Sequence, residues 1–92
     1  MKLIPCEELK NKLDRNEDIK LVFVLGDWQF RAQHIPGSLN IHQLEEAVET
    51  FDMDDEIVVY CANEICRASI YAYYYLVSRG FKYVRRYAGG LR

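Results

Sequence analysis

The chain has 92 residues, half of them hydrophobic and 28% charged, with a formal net charge of −2. This fits one globular domain, residues 1–92, and excludes disordered, collagen-like and coiled-coil chains; the mild acidity argues against nucleic acid as the main partner. The longest uncharged stretch, Ala32 to Leu44, carries His, Gln, Asn, Pro and Gly and is no membrane span, and the start, MKLIPCEELK, lacks the apolar run of a secretory signal, so a cytoplasmic protein is expected.

Pro5 followed by Glu7 and Glu8 marks a helix start, and Leu9 and Leu13 continue at a spacing of four, so residues 5–15 read as a short amphipathic helix. Lys20 to Leu25 (KLVFVL) is a Val-rich apolar run stopped by Gly26, too short for a helix, and reads as a buried parallel strand. Asp27 is placed to cap a short helix through Trp28, Phe30 and Ala32. His34-Ile35-Pro36-Gly37-Ser38 is punctuated as a loop. Leu39 to Ile41 reads as a brief strand, and His42 to Thr50 as a helix opened by His42, with Leu44 and Val48 inward. After a turn at Asp54-Asp55, Glu56 to Tyr60 forms a second buried strand. Cys61 to Ile65 is a loop, and a long helix runs from Cys66 to Arg79. Its inner face is expected to hold Ser69, Ala72, Tyr73, Leu76 and Val77, with Gly80 as its C-terminal cap. Tyr83 to Tyr87 is a further strand, broken by Gly89-Gly90. Strands alternating with helices imply an α/β fold, a small, mostly parallel sheet flanked by helices.

Three cysteines are too few for a disulfide framework, and the step from Cys61 to Cys66 matches neither a zinc ribbon nor a finger, so no metal is expected. Cys6 falls among helix formers and is expected to be half-buried and inert. Charge is segregated: residues 32–64 hold eight acids and no Lys or Arg, whereas 65–92 hold six bases and no acid. The plainer reading is a solvated acidic helix facing a basic end; the sharper one is a basic rim that draws in anions.

The chemistry concentrates in Val58-Val59-Tyr60-Cys61-Ala62-Asn63-Glu64-Ile65-Cys66-Arg67-Ala68-Ser69. A strand ends in a cysteine, a short loop follows, and a helix begins. Ligands of open parallel sheets bind outside the carboxyl ends of the strands. A helix N-terminus offers unpaired N–H groups and the positive end of a dipole. A thiol held there has a lowered pKa and is partly thiolate at neutral pH. Arg67 adds a positive charge in the first helical turn, where it disfavours the helix itself and so points to an anionic partner. The other reading, Cys61 as a small buried hydrophobe at a strand end, stays open on these residues alone. His34, ahead of Ile-Pro-Gly, reads as a loop hydrogen-bonder.

Three segments in this order resemble rhodanese-like sulfurtransferase domains: Leu21–Val24 with Trp28, Phe30 and His34-Ile35-Pro36-Gly37-Ser38; the strand Ile57–Tyr60 with Cys61 and the Ser69–Gly80 helix; and Val84 through Tyr87 to Gly89-Gly90. The resemblance covers nearly the whole chain and implies a single rhodanese-like domain. It further implies a sulfurtransferase in which Cys61 takes sulfane sulfur as a persulfide and passes it to a thiol or other nucleophile. The donor would be a small anion or a protein persulfide, and no cofactor is implied. By position, the amides of Ala62, Asn63, Glu64, Ile65 and Cys66 would cradle the anion, and Arg67 would bind substrate or steady the persulfide. A subgroup of single-domain members places Cys five and Ser eight residues after the nucleophile, as Cys66 and Ser69 stand here. Cradle loops aim side chains outward, so Cys66 is expected to be a packed helix-start thiol and not a disulfide partner of Cys61.

The departures from the family are specific. Where many members carry Asp-x-Arg at the end of the first core strand, this sequence has Phe23 and Leu25, which implies an altered local network. Glu64 lies inside the loop and must face solvent to spare an anion. The family usually continues past Gly-Gly into a last helix, whereas this sequence stops at Arg92, so a domain lacking that helix is expected. Of Tyr71, Tyr73, Tyr74 and Tyr75, Tyr73 is expected to pack; an aromatic patch left by the absent helix would support a homodimer or a partner. Two alternatives stand beside the transferase: a non-catalytic rhodanese-fold interaction or regulatory module, and a phosphatase built on the Cys61-x5-Arg67 spacing, for which Glu64 and Tyr60 are poor neighbours.

Overall fold

The computed structural model describes residues 1–32, 34–41, 43–61 and 67–88. Among these the element order is α1 (Cys6–Asp14), β1 (Ile19–Phe23), α2 (Asp27–Ala32), β2 (Leu39–Asn40), α3 (Leu44–Thr50), β3 (Glu56–Tyr60), α4 (Ala68–Ser78) and β4 (Tyr83–Arg86). The strands form one sheet in the order β2-β1-β3-β4, and every pairing is parallel. The central β1–β3 ladder runs in register from Ile19↔Glu56 to Phe23↔Tyr60. This is the α/β architecture expected from the alternation of strands and helices. Asp27, expected to cap a short helix, is the first residue of α2, while His42 and the break at Gly89-Gly90 lie outside the described residues.

Successive strand residues face opposite sides of a sheet, and the two apolar runs use both. Val22, Val24, Ile57, Val59, Cys61 and Val84 join Ala47 of α3 and Ala72, Tyr73 and Leu76 of α4 in one core. Leu21, Phe23, Val58 and Tyr60 join Ile4, Leu9 of α1 and Tyr87 in the other, with Phe30 of α2 packed against it. A sheet covered on both faces needs continuous hydrophobic strands, which is why KLVFVL and EIVVY carry no alternation.

α4 buries Ser69, Ala72, Tyr73 and Leu76, a stripe at spacings of three and four. Val77, expected inward, is 43% exposed because that stripe already fills the contact with the sheet. Tyr73 packs as expected, and its hydroxyl accepts the backbone N–H of Lys2 at 3.1 Å. Tyr71 and Tyr74 are exposed. Gly80, at φ +97°, takes the left-handed turn after α4. Cys6 is exposed, not half-buried, since Ile4 and Leu9 occupy the inward positions around the start of α1. No helix among the described residues is long and apolar enough to cross a membrane.

Adjacent arginines on β4 diverge to opposite faces. Arg85 turns toward α1 and donates to Glu8 at 2.7 Å and Glu56 at 3.3 Å; Lys12 also reaches Glu56, at 3.0 Å. The Arg85 hydrogen bond holds the Glu8 carboxyl below its ordinary value of 4.5. A carboxyl lowered on folding stabilises the fold above its unfolded-state pKa, and that contribution is lost as pH falls through the folded-state value. Thermal unfolding midpoints should therefore drop on acidification below about pH 4.5. Glu8→Gln should flatten part of that decline; an identical acid limb in the variant would exclude the pair as its source. Lys82 pairs with Asp54 at 3.2 Å, and the Arg79 guanidinium lies 5.1 Å over the Tyr75 ring. Arg79, Lys82 and Arg85, three of the six bases in residues 65–92, thus meet an acid or a ring of the same chain.

Candidate functional site

The strand order reverses direction between β1 and β3, since β2 lies outward of β1 while β4 lies outward of β3. The crevice beyond the carboxyl ends at such a switch point is where open α/β sheets bind ligands. Cys61 is the first residue past β3, on that edge, and its surface is 1% exposed. Arg67 is the N-cap residue of α4, its side chain makes no capping hydrogen bond, and it is exposed. Its carbonyl accepts the N–H of Tyr71 at 3.0 Å. The expected cradle residues Ala62, Asn63, Glu64, Ile65 and Cys66 lie outside the described residues.

Cys61 is disulfide-bonded. Cys6 is free, and Cys66 lies outside the described residues. The expectation that Cys61 stands as a free thiolate is corrected here, whereas the expectation of a packed, non-bonding Cys66 lies outside the described residues. The described form is the oxidised one.

Around the sulfur, Ser69 Oγ lies 3.5 Å from Cys61 Sγ. Ser69 is itself buried and accepts the Nε–H of Arg86 at 2.8 Å. Arg86, 5% exposed, is a residue that the sequence reading merged into the basic strand YVRRY. Alternation along β4 was the available signal: Val84 faces the α4 core, so Arg86, two residues on, faces it too.

On the other face, Tyr60 ties the strand that delivers Cys61 to the His-Ile-Pro-Gly-Ser loop. Its buried hydroxyl accepts the N–H of Ile35 at 2.9 Å and shares a 2.8 Å hydrogen bond with Ser38 Oγ. Ser38 gives its own proton to the Ile35 carbonyl at 2.7 Å, so Tyr60 is the donor to Ser38. His34 Nδ1 donates to the Phe30 carbonyl at 2.7 Å, and its ring stacks on Phe30 at 3.9 Å, which makes it the loop hydrogen-bonder that was expected. Phe23, where many relatives of the resembled family carry Asp, packs its ring 5.2 Å from Tyr60 and 5.8 Å from Phe30. The altered network is therefore aromatic instead of ionic. Tyr60→Phe leaves the Ile35 N–H without this acceptor and should cost about 1–3 kcal/mol in urea unfolding. A loss under about 0.5 kcal/mol would mean the loop does not depend on this hydroxyl.

An open cavity of about 420 Å³ lies far from Cys61, at the amino-terminal edge of β3 and β4, lined by Lys2, Asp54, Glu56, Lys82, Tyr83, Val84 and Arg85. Its Arg85–Glu56 and Lys82–Asp54 pairs satisfy one another, so the chemistry stays with the cysteine edge.

Comparison with known proteins agrees with this geometry. The family model described as Rhodanese-like domain matches residues 6–92. The human single-domain sulfurtransferase TSTD1 is 25% identical over 100% of this chain and 93% of its own, with a TM-score of 0.86. A rhodanese-like domain protein from Staphylococcus aureus is 26% identical over 97% of this chain and 87% of its own, with a TM-score of 0.78. The BH2092 protein from Bacillus halodurans, 22% identical over 97% of this chain and 67% of its own, shares the fold at a TM-score of 0.86. No curated protein matches the chain by sequence. A parallel sheet in the order β2-β1-β3-β4, a cysteine at its switch point and a family match over nearly all of the sequence converge: this chain belongs to the rhodanese-like domain family.

Proposed function

We propose that the chain is a sulfurtransferase that carries sulfane sulfur on Cys61. The observation that carries this reading is the position of Cys61, at the carboxyl end of β3, on the switch-point edge and ahead of the α4 N-terminus. The similarity to the human single-domain sulfurtransferase supports it.

The reaction has two displacements. The Cys61 thiolate attacks the outer sulfur of an anionic donor such as thiosulfate; a Cys61 S–S bond forms, the donor S–S bond breaks, and sulfite leaves with the electron pair. An acceptor thiolate or cyanide then attacks the outer sulfur of the Cys61 persulfide. It leaves as a persulfide or thiocyanate, and the Cys61 thiolate is regenerated. No net oxidation occurs, and the chain needs no cofactor for either step. Protein persulfides are an equivalent donor class. Arg67, exposed at the start of α4, draws the anionic donor toward the sulfur.

Thiosulfate-to-cyanide transfer, read as thiocyanate, tests the reading on the reduced protein. Intact-mass measurement after thiosulfate alone should show a gain of ~32 Da, one sulfur atom. Absence of both, from folded and reduced protein offered thiosulfate and a persulfide donor, would overturn the enzyme reading in favour of an interaction module. Arg67→Ala should lower kcat/KM for thiosulfate about tenfold with an unchanged unfolding midpoint, as expected for an exposed charge that meets an anion. Equal turnover in the variant would remove Arg67 from the site.

A further inference from the structure

Charged residues make up 28% of the chain, yet none falls within α4, ASIYAYYYLVS. A helix that packs one side on a sheet ordinarily turns charged residues to water on the other, and one that is apolar all round is covered on both sides. The side of α4 away from the sheet instead carries Tyr71, Tyr74 and Val77, which are 66%, 53% and 43% exposed. Its exposed serine, Ser78, turns its hydroxyl back to the Tyr75 carbonyl at 2.6 Å. The rings are ordered within the chain itself. Tyr71 stacks on Tyr75 at 6.2 Å, the Arg79 guanidinium lies 5.1 Å over Tyr75, and Tyr74 meets the buried Tyr73 edge-on at 5.1 Å. Tyrosines and arginines held in this way lose little further freedom on contact, and they are the side chains that dominate protein interfaces.

We propose that α3 and α4 form the two-fold interface of a homodimer, with the outer stripe of α4 as its apolar centre. α3 lies beside α4 over the same core and carries Glu45, Glu46 and Glu49, all exposed. Among the described residues no base pairs with any of the three. Arg67 and Arg79, also exposed, stand at the two ends of α4. The face is thus divided, with acids on one helix and arginines on the other. An acidic partner would meet the three glutamates along with the arginines, and a basic partner would meet the reverse conflict. A second copy carries the same division, and a two-fold contact presents each residue once from each side, so the acids of either copy can meet the arginines of the other. The helices are 7 and 11 residues long, about 10 and 17 Å. They offer less than the roughly 800 Å² per partner of a standard interface, so the association is weak and concentration-dependent.

The test is sedimentation velocity of the full chain with a thiol reductant present, which keeps the exposed Cys6 from cross-linking copies. At about 0.05 M salt, where surface charges are little screened, the weight-average mass should rise from one chain toward two between about 1 and 500 μM. Tyr71→Ser and Tyr74→Ser alter exposed side chains and should leave the unfolding midpoint nearly unchanged. Each should nevertheless weaken association about tenfold or more, because a two-fold contact loses the ring from both sides. Arg79→Glu should weaken it by a similar factor at about 0.05 M salt and by much less at about 0.5 M. A chain that stays monomeric to about 500 μM overturns the proposal and leaves the stripe to a different partner. A dimer that both tyrosine variants leave equally tight overturns it too, since the contact then lies on another face. Equal association of Arg79→Glu and wild type at low salt overturns the pairing of glutamates with arginines from which the second copy is inferred.

Discussion

Cys61→Ser is expected to reduce thiosulfate-to-cyanide transfer to the uncatalysed background and to abolish the ~32 Da adduct, with the fold unchanged. A serine hydroxyl is far too weak an acid to present an anionic nucleophile at neutral pH, so the variant loses the attacking group itself and not merely its activation. The fold should tolerate it because the Ser69 hydroxyl, 3.5 Å from the buried sulfur, can hydrogen-bond to oxygen as well as to sulfur. Circular dichroism and the urea midpoint check the fold, and thiocyanate formation checks the chemistry. Residual transfer, or sulfane sulfur mapping to the exposed Cys6, would take the carrier role away from Cys61.

The second large effect concerns oxidation state. Cys61 is disulfide-bonded in the described form, and a bonded sulfur is no nucleophile. Transfer activity should accordingly be near zero after oxidation and should rise by orders of magnitude on treatment with a dithiol. Two thiols supply the electrons, end as a disulfide, and release Cys61 and its partner sulfur as thiols. Full activity in protein whose Cys61 disulfide is demonstrated by peptide mapping would show that the chemistry runs elsewhere. Equal activity before and after reduction, with no disulfide found, would show that the oxidised form does not accumulate in solution.

The fold was readable because both central strands are continuous apolar runs, bounded by Gly26 on one side and by Asp54-Asp55 and Cys61 on the other. Burial on both faces leaves no other use for such a run. Cys61 was readable for the same reason, since the end of β3 is fixed by where the run ends. Arg86 was not. In the string YVRRY two adjacent arginines look equivalent, and only the direction of the pleat separates the one that meets Glu8 from the one that meets Ser69. The oxidised state of Cys61 was not legible, because three cysteines in a chain of this kind read as free thiols. Val77 was misplaced because helical periodicity names a stripe but does not fix its width.

The central ladder joins β1 to β3 across all of α2, β2 and α3. Parallel neighbours require such a crossover, so the most extensive pairing in the molecule closes one of its longer loops. During synthesis, a chain that has not yet exposed Glu56–Tyr60 holds Leu21, Val22 and Phe23 without the strand that pairs them. Folding speed is therefore set by long-range closure and not by helix formation. Until it occurs, the Lys20–Leu25 run is an open edge available to another copy of itself. For this chain, the productive yield in a cell depends on how quickly its second half follows its first.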